Sequence, residues 1–459
     1  MAEGYQFDLI VLGAGPGGYE AAFEAAEKGM KTALVEKDRV GGTCLNRGCI
    51  PTKALMRSAE TYRAARESAE LGVEADDVRF DPARMMERKE EVTRTLRDGI
   101  LGMAKKKKVA LYTAKGCITG AHEVLLDDEE GQTLTGANIL VATGSRPAIP
   151  PIPGADLPGV MTSDELLDLR EPLESLLIIG GGVIGAEFAV IHHDLGAEVT
   201  VVEALDRLLP TLDKELGRGL AMNFKKQGID VHTAARVEAI EARGGKLACR
   251  YTEKSGTIET EAEKILICTG RKPVTEGVFS EEVLASAPLL TERGFLAVDE
   301  NYRTAIPSIY GIGDVTGGIM LAHAATAEGR NAVAVMLGEE PKIRMETVPG
   351  CIFTSPEIAQ VGMTQDEAKT AGIEVITKKY PMSANGKTLI EGLDRGTVKL
   401  VARKEDNVLI GASLMCGRAS DIVGELSLAI SSGLTLEDFA DTIHPHPTFV
   451  EALSECARG

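Results

Sequence analysis

The chain has 459 residues, and at ordinary domain sizes of about 150 residues that length implies roughly three domains. Hydrophobic residues make up 44% and charged residues 26%, proportions that exclude a disordered chain and leave ample material for buried cores. With 50 Lys and Arg against 69 Asp and Glu the net charge is −19. Such a surface repels nucleic acid and anionic membranes and would attract a basic protein partner, although solubility alone accounts for it.

Residues 1–6 carry neither a basic region nor a following apolar stretch, and no run of 18 apolar residues occurs, so a cytoplasmic protein outside the membrane is expected. The 50 glycines are about 11% of the chain against a usual 7% or so, an excess that points to tight turns and close backbone approaches.

In chain order the first element is a strand–turn–helix–strand unit. An apolar run at 7–12 leads into Gly13-Ala14-Gly15-Pro16-Gly17-Gly18, then an Ala/Glu-rich helical stretch, then a second strand ending at Glu36. The same unit returns at 176–203: an apolar run, Gly180-Gly181-Gly182-Val183-Ile184-Gly185, a helical stretch and a strand ending at Glu203. A lone G-x-G-x-x-G says little. Between a strand and a helix, with an acid 23 residues after the first glycine in both copies, it specifies dinucleotide binding. The turn brings backbone up to a pyrophosphate at a helix N-terminus, and the carboxylate takes the ribose hydroxyls, which in the second unit favours NAD over NADP.

Just past Glu36 stand Cys44 and Cys49, in Gly41-Gly42-Thr43-Cys44-Leu45-Asn46-Arg47-Gly48-Cys49-Ile50-Pro51-Thr52-Lys53. Cysteines five apart at a helix start can close a small disulfide ring if the first turn is distorted, which Gly48 allows. The helix N-terminus, Arg47 and Lys53 would favour a thiolate there. A zinc site lacks further paired ligands and an iron–sulfur site lacks clustered cysteines, so no metal is expected. A redox-active pair is favoured over a structural disulfide or a metal site. The other six cysteines are scattered singly, as core thiols are.

Further along, Lys105 to Lys108 reads as a solvated helix end and Asp127 to Glu130 as a hairpin tip. Two strand–Thr–Gly–basic–Pro echoes, Thr143-Gly144-Ser145-Arg146-Pro147 and Thr269-Gly270-Arg271-Lys272-Pro273, look like crossovers out of nucleotide domains, and the five prolines from Pro147 to Pro158 mark a boundary. His192 and His193 fit no pattern and are expected at the surface. Gly311, Gly313 and Asp314 form a third glycine cluster. The last ~115 residues, with strand-like runs at 396–401 and 408–414 and helical ends, read as a separate α+β domain. They close on His444-Pro445-His446-Pro447-Thr448-Phe449-Val450-Glu451, where Glu451 can orient His446 and hold its charge.

Taken together these motifs, spread over nearly the whole chain, resemble the pyridine nucleotide–disulfide oxidoreductases of the glutathione-reductase type. The resemblance implies an α/β fold with two Rossmann-like nucleotide-binding domains and a C-terminal α+β dimer-interface domain. Residues 1–147 with 271–341 would bind FAD, 148–270 would bind NAD+, and 342–459 would form the interface. The implied reaction is oxidation of a protein-bound dihydrolipoyl dithiol by NAD+. Cys44 would be the interchange thiol and Cys49 the thiol facing the flavin, with His446 as acid–base catalyst and Glu451 as its partner, serving the other subunit of a homodimer. The FAD site would comprise Gly13, Gly15, Gly18, Glu36, Thr43, Lys53, Gly116, Thr143, Gly144, Asp314, Leu321 and Ala322. Gly180, Gly182, Gly185, Glu187, Glu203 and Gly270 would form the NAD site, and Lys53 and Glu187 would pair near the flavin. The lipoyl group would come from a separate carrier, an acyltransferase core or a glycine-cleavage carrier protein. Cys456 is similar in place to the C-terminal thiols of mercuric reductases but is single, and the intact His446–Glu451 motif argues against that branch. A related reductase acting on another low-molecular-weight disulfide is the main alternative; Glu203 opposes the NADPH such enzymes prefer, while Arg207 nearby leaves room for it. A scaffold without activity would be expected to have lost a cysteine or the His–Glu pair.

Overall fold

The computed structural model describes residues 4–393 and 395–459. The chain divides into two compact units: Met1–Leu55, Ala83–Ala148 and Gly270–Met345 form the first, and Met56–Pro82, Ile149–Thr269 and Glu346–Gly459 the second.

The first unit is built on a parallel sheet in the order Ala110–Thr113, Thr32–Glu36, Phe7–Leu12, Thr133–Val141, with Ile309–Gly311 beyond. The beginning of the nine-residue Thr133–Val141 strand pairs instead with an antiparallel hairpin of Glu123–Leu126 and Gly116–Gly120. The acids 127–130 lie in the loop between Glu123–Leu126 and Thr133–Val141, a hairpin tip as expected. Alternation of side chains places Ile10 and Leu12 in one core and Leu9 and Val11 in another, so both faces of the sheet are covered. The helices Pro16–Glu27 and Ala322–Met336 cover one face. They pack closely because a side chain at Gly17 would lie 2.9 Å from the Ala325 carbonyl and one at Gly329 would lie 2.8 Å from the Gly17 carbonyl. The lysine run ends the Pro82–Lys106 helix, and Lys107 pairs with Glu27.

Within the second unit, Asp230–Thr233, Glu198–Glu203, Ser175–Ile179, Lys264–Ile267 and Val160–Met161 form a second parallel sheet in that order. An antiparallel meander of Arg236–Arg243, Lys246–Glu253 and Gly256–Ala262 supplies Cys249 and Tyr251 to a core shared with Leu177 and Ile179. The C-terminal part is a five-stranded antiparallel sheet, Gly350–Ile352, Glu357–Gly362, Leu409–Cys416, Thr397–Arg403 and Val375–Pro381. Both strands expected at 396–401 and 408–414 are among these. The helices Ala419–Ser432 and Glu451–Arg458 close its core with Leu426 and Leu453, each wholly buried.

His192 and His193 correct the expectation of surface residues. Both are half-buried on the Val183–Asp194 helix. The His192 ring stacks on Phe188, one helical turn earlier, at 6.2 Å, and burial holds its pKa down to about 4.

Candidate active site

Each nucleotide turn begins a helix without a side-chain cap. Gly15 stands at the N-cap of Pro16–Glu27 and Gly182 at that of Val183–Asp194. Several other helix starts are closed by side chains, those of Thr162, Asp213, Ser280, Thr364 and Thr435, while those at Gly41, Leu321, Arg418 and Val450 are not. The free N–H groups at the two glycine turns are therefore available to an anion. In both turns the glycines divide the work in the same way. Gly13 (φ +100) and Gly180 (φ +117) are left-handed, and a side chain at either would strike the following crossover, at Ala142 or Cys268. At Gly18 and Gly185 a side chain would collide with the carbonyls of Gly13 and Gly180. The middle glycines are different: nothing lies within 4 Å of an added Cβ at Gly182, and at Gly15 only Gly42 Cα does, at 3.9 Å. Those two open positions form cradles that fit a pyrophosphate.

The acids ending the second strands brace the turns. Glu36 Oε2 accepts the Ala14 N–H at 2.8 Å and Oε1 the Asp38 N–H at 2.9 Å. Glu203 repeats the pattern with Gly181 at 2.6 Å and Leu205 at 2.7 Å. A carboxylate has about four acceptor sites, so each retains capacity for ribose hydroxyls. Arg207 is tied to Asp206 at 2.9 Å and to the Pro210 carbonyl at 3.1 Å.

The cysteine loop docks directly on the first turn. Gly41 N–H bonds the Ala14 carbonyl at 2.7 Å, and a side chain at Gly42 would lie 2.5 Å from Gly15 Cα. Cys44 lies in the short helix Gly42–Arg47, Gly48 interrupts it at φ −149 and ψ −115, and Cys49 starts the helix Cys49–Arg66. The distortion predicted at Gly48 is present, and a side chain there would lie 3.0 Å from the Thr43 carbonyl. Cys44 is half-buried and Cys49 exposed. Their mutual hydrogen bond, then burial, pushes the Cys44 thiol up, with Lys53 pulling the other way. One of the pair therefore ionises far more readily than both. Arg47 departs from expectation: its guanidinium pairs with Asp38, leaving Lys53 as the cation acting on Cys44. Sequence reasoning missed Asn46 and Arg97. Asn46 Nδ2 donates to the Val40 and Gly42 carbonyls and its Oδ1 accepts from Arg97 at 2.9 Å, fixing the loop.

Elsewhere in the first unit, the two crossovers pair as antiparallel strands Ser145–Pro147 and Arg271–Pro273. Ser145 donates to Asp314 Oδ2 and accepts from Arg271 Nε at 2.7 Å. Thr143 Oγ1 donates to the Val274 carbonyl at 2.7 Å, and Gly144 and Gly270 border open space. Glu328, raised by its burial, accepts the Gly313 N–H at 2.6 Å. Ser145, Arg271 and Glu328 were not foreseen as supports of the Asp314 turn; only the paired crossovers hinted at the first two. The helix Ala322–Met336, with Leu321 at its N-cap, is another start without a side-chain cap. Gly116 sits in a strand where Leu12, Val35 and Val124 fill the space a side chain would need, so its bareness serves packing. Thr43 is exposed, and Lys53 lies in the first unit.

Glu187, in the second unit, is buried and accepts the Phe353 N–H at 3.2 Å. Also there, His446 Nδ1 meets Glu451 Oε2 at 2.8 Å, with the His446 side chain 77% exposed and Glu451 18%. The contact between the two side chains is the one expected from the sequence, and it uses Nδ1 rather than Nε2. His444 pairs through Nε2 with Glu425 at 3.0 Å. Cys456 is a buried core thiol, pushed up to about 12 by burial, which makes it unreactive. Among the described residues no group of three or more His, Cys, Asp or Glu is disposed to hold a metal, and no helix is long and apolar enough to cross a membrane.

Comparison with known proteins gives the same motifs a family context. Residues 7–329 match the family model of the pyridine nucleotide-disulphide oxidoreductases, and residues 348–457 match that family's dimerisation domain. The chain is 40% identical to a dihydrolipoyl dehydrogenase of Bacillus subtilis, covering 98% of this chain and 97% of the relative. It is 38% identical to one of Geobacillus stearothermophilus, covering 98% and 95%. Among solved structures it is similar to LpdA from Mycobacterium tuberculosis (TM-score 0.88, 28% identity, 98% of each chain). It is also similar to the HOCl-induced flavoprotein disulfide reductase RclA from Escherichia coli (TM-score 0.86, 28% identity, 98% and 99%).

Proposed function

Because the chain belongs to the pyridine nucleotide-disulphide oxidoreductase family, we propose that it acts as a dihydrolipoyl dehydrogenase, oxidising the dihydrolipoyl group of a carrier protein and reducing NAD+ to NADH. The observation that carries this reading is the contact of Gly42 with Gly15, which seats the Cys44–Cys49 pair against the first nucleotide cradle. FAD fits that cradle: Gly13, Gly15, Gly18 and the helix start would hold its pyrophosphate, Glu36 its ribose, and Asp314 with the 320–323 stretch the remainder. Bound FAD supplies the two-electron transfer between the dithiol and the nicotinamide. Gly180, Gly182, Gly185 and Glu203 would hold NAD+, and the commitment of Arg207 to Asp206 and Pro210 supports NAD+ over NADP+. Lys53 would stand beside the flavin.

His446, aligned by Glu451, takes a proton at Nε2 from one dihydrolipoyl thiol. The thiolate attacks Cys44 of the enzyme disulfide and Cys49 leaves as a thiolate. The second lipoyl thiol, its proton passing to Cys44 as that sulfur leaves, then attacks the lipoyl sulfur of the mixed disulfide and closes the lipoyl ring. Cys44 thus ends as a thiol, Cys49 as a thiolate and His446 as the imidazolium holding the first proton. Two electrons have moved to the cysteine pair, and Lys53 offsets the charge that remains. The protein is a homodimer through its dimerisation domain; His446 of one subunit serves the cysteines of the other. Three domains divide these tasks, 1–147 with 271–341, 148–270, and 342–459. The net charge of −19 suits docking onto a basic domain of an acyltransferase core or another lipoyl carrier in the cytoplasm.

The test is NADH formation from NAD+ and free dihydrolipoamide by the FAD-loaded protein. Activity should appear with the wild type and fall at least ~10³-fold in Cys44→Ser. Retention of activity in that variant, or reduction of glutathione disulfide by NADPH instead, would overturn the reading.

A further inference from the structure

The geometry points to Asn385 as the positioning residue that sets the rotamer of Glu451, and through it the imidazole of His446. Asn385 lies far from both in sequence and is 2% exposed. Its Nδ2 donates to Glu451 Oε1 at 3.2 Å and to the Thr448 carbonyl at 2.9 Å. Its Oδ1 accepts the Thr388 N–H at 2.9 Å and the Thr388 hydroxyl at 3.0 Å, capping the helix Gly386–Ile390. An N–H bound to Oδ1 fixes which end of the amide faces the carboxylate, so the donor must point at Glu451. One oxygen of Glu451 is thereby held by Asn385 and the other is left for His446 Nδ1. The bond to the Thr448 carbonyl holds the loop between them, and Thr448 Oγ1 ties that loop to the Pro445 carbonyl at 2.6 Å.

A buried amide donor stabilises a carboxylate in place without adding charge. The remaining ionisable groups around Glu451 are His446 itself, Tyr380 and Glu455. Burial, then Glu455 and Glu451, push Tyr380 up. Glu455 is paired with Arg458 at 3.0 Å, and Lys387 on the capped helix is paired with Glu391 at 2.7 Å. Among the described residues, the hydrogen bonds of the Glu451 carboxylate run to the Asn385 amide and to His446.

This inference rests on the dihydrolipoyl reading, and the isosteric variant Asn385→Asp separates the two. Asp keeps the volume and the helix cap but turns the donor toward Glu451 into a second carboxylate, which must take up a proton to donate. The FAD-loaded wild type and the variants Asn385→Asp and Asn385→Ala are compared for kcat and KM with dihydrolipoamide from pH 6 to 9. Melting temperature and FAD content serve as fold checks. We expect both variants to lose roughly 10- to 100-fold in kcat at pH 8 with KM little changed. Asn385→Asp alone should recover toward the wild-type value as the pH falls to 6. An Asn385→Asp enzyme with wild-type kcat at every pH would overturn the positioning role. A wild type that cannot oxidise dihydrolipoamide would overturn the functional reading instead.

Discussion

Gly182 and Gly185 stand one helical turn apart, yet a methyl group has opposite consequences at the two. At Gly182 it would enter open space, which the proposed NAD+ site gives to the pyrophosphate, whereas at Gly185 it would strike the Gly180 carbonyl. Gly182→Ala should therefore raise the KM for NAD+ by ~10-fold or more while leaving the melting temperature nearly unchanged. Gly185→Ala should lower stability by roughly 1–3 kcal/mol, seen in denaturant unfolding; equal stability losses in both would contradict the division of labour. The spacing of these glycines was legible because a pyrophosphate turn demands them at fixed intervals. The double use of Glu36 and Glu203 was not, since each carboxylate closes on backbone N–H groups that only the folded turn brings together. Asn385 left no signal for the same reason: an asparagine distant in sequence acquires its role only when the chain returns beside Glu451.

At the scale of elements, strands and helices followed the apolar periodicity closely, and the departure at Gly48 is local and useful. It ends one helix and starts another, so that the two thiols meet instead of facing apart. The helix Lys214–Gln227 shows what periodicity conceals. Its N-cap Asp213 is bound by Lys399 at 2.8 Å, with side-chain exposures of 4% and 3%, and Glu215 joins at 3.0 Å. Burial works against the Lys399 charge, but the bonds to Asp213 and Glu215 outweigh it and raise the pKa. Burial likewise opposes the Glu215 charge, and Lys379 and Lys399 override it to lower the pKa. The raised Lys399 stabilises the fold at pH below its unfolded value of about 10.4 and stops doing so as the pH climbs past its folded value. The lowered Glu215 stabilises above about pH 4.3 and is lost as the pH falls further. Lys399→Met leaves Asp213 buried without its cation and should cost about 3–5 kcal/mol at neutral pH. A loss under ~1 kcal/mol in chemical unfolding would show that the pair carries little.

Across the whole molecule, the repeat of one nucleotide unit and the single cysteine pair made the architecture readable before any coordinates, while partly buried ionisable groups did not announce themselves. His192 and Asp194 are two residues apart in sequence, and each resists its charged form. Burial holds His192 down to about 4, and it raises Asp194 to about 6 against the pull of Arg63, which bonds both carboxylate oxygens at 3.0 Å. A depressed histidine stabilises above its unfolded pKa of about 6.5 and loses that contribution as the pH drops through 4. His192→Phe should therefore reduce the fall in stability between pH 6.5 and 4 by roughly 1–3 kcal/mol, measured as the pH dependence of unfolding. An unchanged acid limb would rule out His192 as its source. The acidic surplus belongs to this scale too: docking to a basic lipoyl-carrier domain should weaken as salt is raised from 0.05 to 0.5 M, and salt-insensitive binding would count against an electrostatic dock.

In the proposed cycle Cys44 and Cys49 pass between disulfide and dithiol, with dihydrolipoamide as the reductant. The decisive measurement is alkylation of the FAD-loaded protein in denaturant before and after one equivalent of dihydrolipoamide, without NAD+, with each cysteine read by mass spectrometry. Cys44 and Cys49 should be protected beforehand and both labelled afterwards, with the other six cysteines unchanged. Labelling of Cys44 and Cys49 that does not respond to dihydrolipoamide would contradict the cycle.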